Sequence, residues 1–87
     1  MNNCFFICNV FSEPIFKFFY MNKFTSICYF PVSFSENDKN YITVFALNSL
    51  ADYVYQNIHI NQKIFIDGSL YNKGSSTFVK INDIKII

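Results

Sequence analysis

The chain contains few residues that are suited to catalysis or metal binding. There is one histidine, His59, and there are three cysteines, Cys4, Cys8 and Cys28. No two cysteines form a CxxC pair, and a zinc site would need more ligands than these residues supply. His59 has no nucleophile at a useful spacing, and the chain contains no glycine-rich phosphate loop. We therefore expect no enzyme, no metal site and no cofactor, and we interpret the cysteines as buried, reduced thiols.

The composition is apolar and close to neutral. Of the 87 residues, 52% are hydrophobic and 21% are aromatic, which is more apolar material than the modest core of a small domain can bury. We expect residues 1–87 to form a single domain, with part of its apolar surface at an interface with another chain. The net charge is only +1, whereas nucleic-acid binders usually have a strong basic bias, so any basic patch must be local.

The sequence also indicates the cellular compartment of the protein and the base composition of its genome. No secretory signal is visible, and no run approaches the ~20 apolar residues of a membrane helix, so we expect a soluble protein, with no membrane partner, in a reducing compartment. Phe, Ile, Asn, Lys and Tyr account for 48 of the 87 residues, and arginine and tryptophan are absent. Because A/T-rich codons encode these five amino acids, the composition predicts an A/T-rich genome, such as that of an organelle or a reduced bacterium.

Apolar segments with strand character alternate with short polar breaks. The predicted strands lie in residues 4–11, in "IFKFFYMNKF", at about residues 24–33, in residues 41–47, in "KIFIDGSLY" and in "TFVKINDIKII". The first of these is apolar on both faces, and in a small antiparallel barrel only a partner subunit can cover the outer face. We therefore expect a homodimer or homotetramer joined through the apolar first strand.

One short helix interrupts the strands. Leu50, Val54 and Ile58 recur at helical spacing and predict a helix of two to three turns. We place three barrel strands before this helix and two after it. This order is typical of a mainly β OB-fold, a five-stranded Greek-key barrel with one short helix between the third and fourth barrel strands. In such barrels a glycine marks a bulge or tight bend where a strand turns the corner, and Gly68 fits that position.

Five blocks of the sequence resemble, in order, the bacterial and organellar single-stranded DNA-binding protein family. "NSLADYVYQNIHINQKIFIDGSL" is similar to the family's "kLAe…yl.KGs.vyieGrl", and "YITV" stands where the family has "W.rvv". Residues 2–9, with the following "EP" and "FKF", resemble "Nkv.liGnl..dPe.ry". The resemblance covers nearly the whole chain. Together with the A/T bias it suggests a shortened, plastid-encoded protein of the chloroplast stroma or nucleoid, or alternatively a cytoplasmic protein of an A/T-rich bacterium.

The resemblance implies a function and a set of residues. The family binds single-stranded DNA without sequence preference, by stacking aromatic side chains on bases and by placing lysines against phosphates. A role in organellar DNA replication or repair follows, and RNA is equally compatible with stacking. Tyr41 takes the place of the family's stacking tryptophan, and Lys17 takes its basic position. The nucleic-acid-binding residues implied in this way are Tyr41, Lys17, Phe18, Tyr20, Lys23, Tyr71 and Lys73.

The chain departs from the family pattern at several binding positions. The glycine of the helix-to-strand turn is Asn61, a basic residue is replaced by Thr43, and the second aromatic of that strand is Leu47. The long arm between the last two strands is reduced to "YNKGSST". Since cationic and stacking positions are both lost, binding at physiological salt is expected to be weak.

These departures leave a second function open. The chain is also compatible with a degenerate OB-fold that serves as a protein-interaction subunit, similar to the short primosomal proteins, with weak or no nucleic-acid binding. The apolar first strand and the low net charge favour this alternative. The position of Lys17, Lys23 and Lys73 discriminates between the two functions, because nucleic-acid binding needs them on one face and scattered lysines would favour the alternative.

Overall fold

The computed structural model describes residues 3–20, 22–34 and 40–87. The strands are β1 (Asn3–Val10), β2 (Ile15–Tyr20), β3 (Phe24–Ser33), β4 (Ile42–Leu47), β5 (Lys63–Lys73) and β6 (Ser76–Ile86), and the helix α1 (Ser49–Asn57) lies between β4 and β5. All six strands belong to one sheet, in the order β1-β5-β6-β4-β3-β2. Every pairing is antiparallel except that of β4 with β6.

Five of the six strands close into a ring. β1 pairs with β5 along residues 3–9 and also with β3 at Asn9 and Val10, so the ring runs β1-β5-β6-β4-β3 and back to β1. β2 is added to the outside of this ring by its pairing with β3. Three ring strands therefore precede the helix and two follow it, as the sequence predicts.

Alternate side chains of the ring strands fill the interior. Phe30 is the largest fully buried side chain, and it packs in one cluster with the apolar residues of all five ring strands. The helix covers this cluster with Ala51 and Val54, and Ile58 follows directly after its last turn, fully buried. The predicted helical stripe is thus confirmed. Asn48 is the N-cap residue, but its side chain makes no capping hydrogen bond.

The cysteines are free thiols, as expected, but they are not equally buried. Cys8 and Cys28 are fully buried, whereas Cys4 is only half-buried and its Sγ donates to the Gly68 carbonyl at 3.5 Å. Burial raises the pKa of Cys8 to about 12 and that of Cys28 to about 11. Both thiols therefore stay protonated at neutral pH and act as small apolar side chains.

Gly68 lies at a β-bulge. Asp67 pairs with Asp83 and Gly68 pairs with Ile81, so Asn82 is an extra residue on β6. A Cβ atom at position 68 would lie 2.5 Å from Val79 Cγ1 and 2.8 Å from the Lys80 carbonyl oxygen. The predicted bulge is confirmed, and glycine is required there because the neighbouring strand approaches closely.

Asn61 lies in the turn from the helix to β5, at the position where the sequence of the resembling family has a glycine. Asn61 has a φ of 72°, in the left-handed region that asparagine tolerates better than most residues. Its N–H donates to the Val10 carbonyl at 2.9 Å, and the Val10 N–H donates to the Gln62 carbonyl at 2.9 Å. These two hydrogen bonds join the end of β1 to the start of β5.

Candidate nucleic-acid interface

The outer surface of β3, β4 and β6 is aromatic and concave. The residues that alternate with the core on these strands lie side by side: Tyr29 pairs with Phe45, and Thr43 pairs with Phe78. A shallow cavity of about 340 Å³ is lined by Ile27, Tyr29, Thr43, Phe45 and Phe78. We call this cavity the outer-face pocket. Its three half-buried aromatic side chains present ring surfaces that planar groups can stack against.

Tyr71 extends this aromatic surface onto β5. It pairs with Phe78 across the β5–β6 ladder, and its ring lies 6.1 Å from that of Phe45 at an interplanar angle of 55°. Half of its side chain is exposed. The predicted site residue Tyr71 therefore lies beside the outer-face pocket.

Lysines surround the outer-face pocket. Lys17 pairs with Ile27 and Lys80 pairs with Phe45, so both lie on the outer face. Lys73 ends β5 beyond the start of β4, whereas Lys23 lies in the β2–β3 turn beyond the end of β4. None of these four lysines forms an ion pair within the described ranges. Of the three predicted lysines, Lys17 therefore lies on the outer face, and Lys23 and Lys73 lie at its two opposite ends.

Phe18 and Tyr20 lie on the other face of β2. Phe18 pairs with the buried Ser26 and Tyr20 pairs with Phe24, so these side chains point to the side opposite Lys17. The rings of Tyr20 and Phe24 are 5.0 Å apart. The structure therefore does not bring Phe18 and Tyr20 together with the outer-face pocket, and their contact with nucleic acid stays a prediction.

Tyr41 directly precedes β4 and is well exposed. Its ring stacks on Phe11, with centroids 5.3 Å apart and an interplanar angle of 15°. Phe11 covers one face of the tyrosine ring, and 60% of Tyr41 remains accessible. An aromatic ring held in this way is positioned to stack on a further planar group.

The sequence did not identify several residues of this surface. The sequence pattern indicates only that Tyr29, Phe45, Phe78 and Lys80 belong to strands. In "YITVFAL" the side chain of Phe45 points outward, whereas its neighbour Val44 is fully buried. Both residues are apolar. Because both faces of these strands are apolar, no alternation of polar and apolar residues could show which aromatic faces outward.

A carboxylate joins the segment after β1 to the turn before β5. The Ile60 N–H donates to Glu13 Oε2, and His59 Nδ1 lies 3.1 Å from Glu13 Oε1. The backbone hydrogen bond and then the histidine lower the pKa of Glu13 below its ordinary value. This contact fixes the corner between β1 and β2 against the start of β5.

We expect Glu13→Gln to lower the melting temperature at pH 7 and to have a smaller effect in acid. Because the pKa of Glu13 is lower in the folded state, its stabilisation is present above the ordinary glutamate pKa of about 4.3 and is lost as the pH falls through the folded value. Thermal melts of both proteins at pH 7 and at about pH 3 measure this difference. An equal difference at both pH values would contradict the assignment.

Residues 3–20, 22–34 and 40–87 contain neither a candidate metal site nor a candidate membrane-spanning helix. No three His, Cys, Asp or Glu side chains in these ranges are grouped closely enough to hold a metal ion. No helix in the same ranges is long and apolar enough to cross a membrane.

The closed ring with its helix between the third and fourth ring strands is an OB-fold, which confirms the fold predicted from the sequence. The chain is similar to the SSB domain of a Synechococcus protein, with a TM-score of 0.85 and 18% identity over 97% of this chain and 93% of that chain. It is similar to the second single-stranded DNA-binding protein of Mycobacterium smegmatis, with a TM-score of 0.78 and 20% identity over 98% of this chain and 87% of that one.

A third similar structure is the protein PriB from Ralstonia solanacearum, with a TM-score of 0.80 and 13% identity over 99% of this chain and 97% of that chain. No family model matches the chain, and no curated protein matches its sequence. At these identities the likeness establishes the fold and does not by itself establish a function.

Proposed function

We propose that this protein binds single-stranded DNA, without sequence preference, on the outer face of β3 and β4. The observation that carries the proposal is the outer-face pocket, where aromatic side chains lie among lysines without ion pairs. OB-folds bind oligonucleotides on the face of their second and third barrel strands and on the loops that join strands 1 to 2 and 4 to 5. Here those elements are β3, β4, the β2–β3 turn and the β5–β6 turn. The single-stranded DNA-binding proteins among the similar structures support the same function.

Aromatic side chains and lysines have different roles in the proposed binding. Bases stack on Tyr29, Phe45 and Phe78, and on the free face of Tyr41, and this attraction is indifferent to base identity. Lys17, Lys23, Lys73 and Lys80 hold the phosphates around them. Stacking does not read the 2′-OH, so RNA binds on the same surface. The protein acts by binding and carries out no catalytic step.

The proposal is tested by fluorescence anisotropy with labelled oligo-dT of about 35 nucleotides. If four lysines each displace counterions, the affinity is expected to fall about 50-fold between about 50 mM and 200 mM salt. Tyr41→Ala should weaken binding about 10-fold, because one stacking contact is worth roughly 1–3 kcal/mol. Tyr53→Ala is the matched control, since Tyr53 is an exposed tyrosine on the helix. A folded protein that does not bind at the lower salt would overturn the proposal.

A second candidate function is that of a protein-interaction subunit. It is favoured by the outer surface of β1, where Phe5 and Ile7 are 64% and 54% exposed. Phe5 lies beside Phe65 on the neighbouring strand, with ring centroids 6.5 Å apart. We propose that this surface joins the protein into a homodimer or homotetramer, because exposed apolar patches of this kind mark protein contacts. If the oligomer forms but no oligonucleotide binds, this second function replaces the first.

The cellular setting is also proposed. The amino-acid composition, which is rich in residues with A/T-rich codons, supports a plastid gene and a place in the chloroplast stroma or nucleoid, where the protein would serve DNA replication or repair. The cytoplasm of an A/T-rich bacterium is the alternative. Hybridisation of the gene to purified plastid DNA distinguishes these two sources.

A further inference from the structure

Within the described residues one edge of β2 is unpaired, and this edge is suited to pairing with another strand. One edge pairs with β3 from Ile15–Tyr29 to Tyr20–Phe24, and no other described strand pairs with β2. Its other edge therefore presents main-chain N–H and C=O groups along six residues. Phe18 and Tyr20 are 70% and 63% exposed, so bulky apolar side chains accompany these groups. A free, apolar edge of this kind is a template for a further strand.

The features that normally protect such an edge are nearly absent. β2 reads "IFKFFY", without proline, glycine or an acidic residue, and its single charge is Lys17. Edge strands usually avoid pairing by means of several charges, a proline or a bulge. The single lysine does not exclude pairing, but it restricts the registers that are favourable.

We propose that β2 pairs antiparallel with β2 of a second copy of this chain, centred on Phe18. A two-fold axis perpendicular to the sheet lies between the two strands and must place one residue opposite its own copy, because opposite side chains of antiparallel strands share a face. We call that residue the centre of the pair. A centre at Lys17 places two lysines opposite each other, which is unfavourable. A centre at Phe19 pairs only three residues of each strand. A centre at Phe18 pairs five residues and separates the lysines.

The register centred on Phe18 is chemically self-complementary. On the inner face, Phe18 lies opposite its own copy and Phe16 lies opposite Tyr20, which forms a ladder of aromatic pairs. On the outer face, Lys17 lies opposite Phe19 of the second copy, where a cation–π contact is available. Because the axis is perpendicular to the sheet, the outer-face pockets of both copies lie on the same side. This interface is separate from the outer surface of β1.

Cysteine cross-linking tests both the pairing and its register. In the proposed register, position 18 faces itself with Cβ atoms about 4.5–5.5 Å apart, whereas position 17 lies on the diagonal at about 7–8 Å, beyond disulfide reach. Under mild oxidation, Phe18→Cys is expected to yield at least about fivefold more disulfide-linked dimer than Lys17→Cys or the wild type. Both positions are exposed, so circular dichroism should show an unchanged fold. The double variant Lys17→Cys with Phe19→Cys should also cross-link.

Two results would overturn the pairing. One is a yield of dimer from Phe18→Cys that is no higher than that from Lys17→Cys. The other is sedimentation in which Phe18→Glu leaves the mass of the assembly unchanged, since a buried charge at the centre of the pair should reduce that mass by half. If either result is found and Phe18→Ala weakens oligo-dT binding, the exposed edge of β2 contacts nucleic acid and not a second copy of the chain. Ile7→Glu is the control for the β1 surface and should leave the Phe18→Cys cross-link in place.

Discussion

Gly68→Ala is expected to lower the free energy of unfolding by about 3 kcal/mol. The added Cβ would lie 2.5 Å from Val79 Cγ1 and 2.8 Å from the Lys80 carbonyl oxygen. The valine can change its rotamer, but the carbonyl belongs to the β5–β6 ladder and moves only with the strand. Urea denaturation followed by circular dichroism measures the loss, which is a large part of the stability of so small a domain.

The second glycine provides the control for this prediction. Gly74 stands in the two-residue turn between β5 and β6 with a φ of 62°, and an added Cβ would meet nothing within 4 Å. Gly74→Ala should therefore cost only about 1–2 kcal/mol, which is the conformational penalty of the left-handed region. If both variants lower the free energy of unfolding by the same amount, the close approach of β6 is not the reason that position 68 requires glycine.

The double variant Phe45→Ala with Phe78→Ala is expected to weaken oligo-dT binding about 100-fold. Each ring provides a stacking surface in the outer-face pocket, worth roughly 1–3 kcal/mol per base. The two losses are not expected to add fully, because the residues are neighbours. Anisotropy titrations at low salt, where the wild-type affinity is highest, measure the change.

The matching control removes two phenylalanines from the other side of the barrel. Phe5 and Phe65 form a ring pair on the outside of β1 and β5. Phe5→Ala with Phe65→Ala changes the composition in the same way, but it should retain the wild-type affinity per protomer while it alters the mass of the oligomer. An equal loss of binding in both double variants would contradict a site on β3 and β4.

The sequence predicts the ring and its helix because each local signal agrees with the fold. Val54 and Ile58 are fully buried and Leu50 packs partly buried against the core, as their helical spacing predicts, and the strand pattern places the helix correctly. Gly68 marks the bulge, since a glycine inside an apolar strand has few other uses. These signals depend on neighbours within a few residues, and such short-range patterns are visible in one sequence.

The outer face could be predicted only in part. The resemblance to a known family points to Lys17 and Tyr71, which do lie around the outer-face pocket. It also points to Phe18, which the register of β2 with β3 places on the opposite side. The side on which a residue of β2 lies depends on where the strand begins to pair, and the polar alternation that would reveal this is missing from "IFKFFY".

The pairing of β1 with β5 also determines the order in which the chain can fold. Asn3 pairs with Ser69, so the ring joins two segments that are separated by most of the sequence. Non-local pairing of this kind makes folding slow, in the range of milliseconds to seconds for β barrels. During synthesis, at roughly 5–20 residues per second, most of the apolar β1 is without its partner until β5 has left the ribosome, because β3 pairs only with Asn9 and Val10. The nascent chain therefore exposes most of β1 for several seconds, and a chaperone is expected to bind this strand during that time.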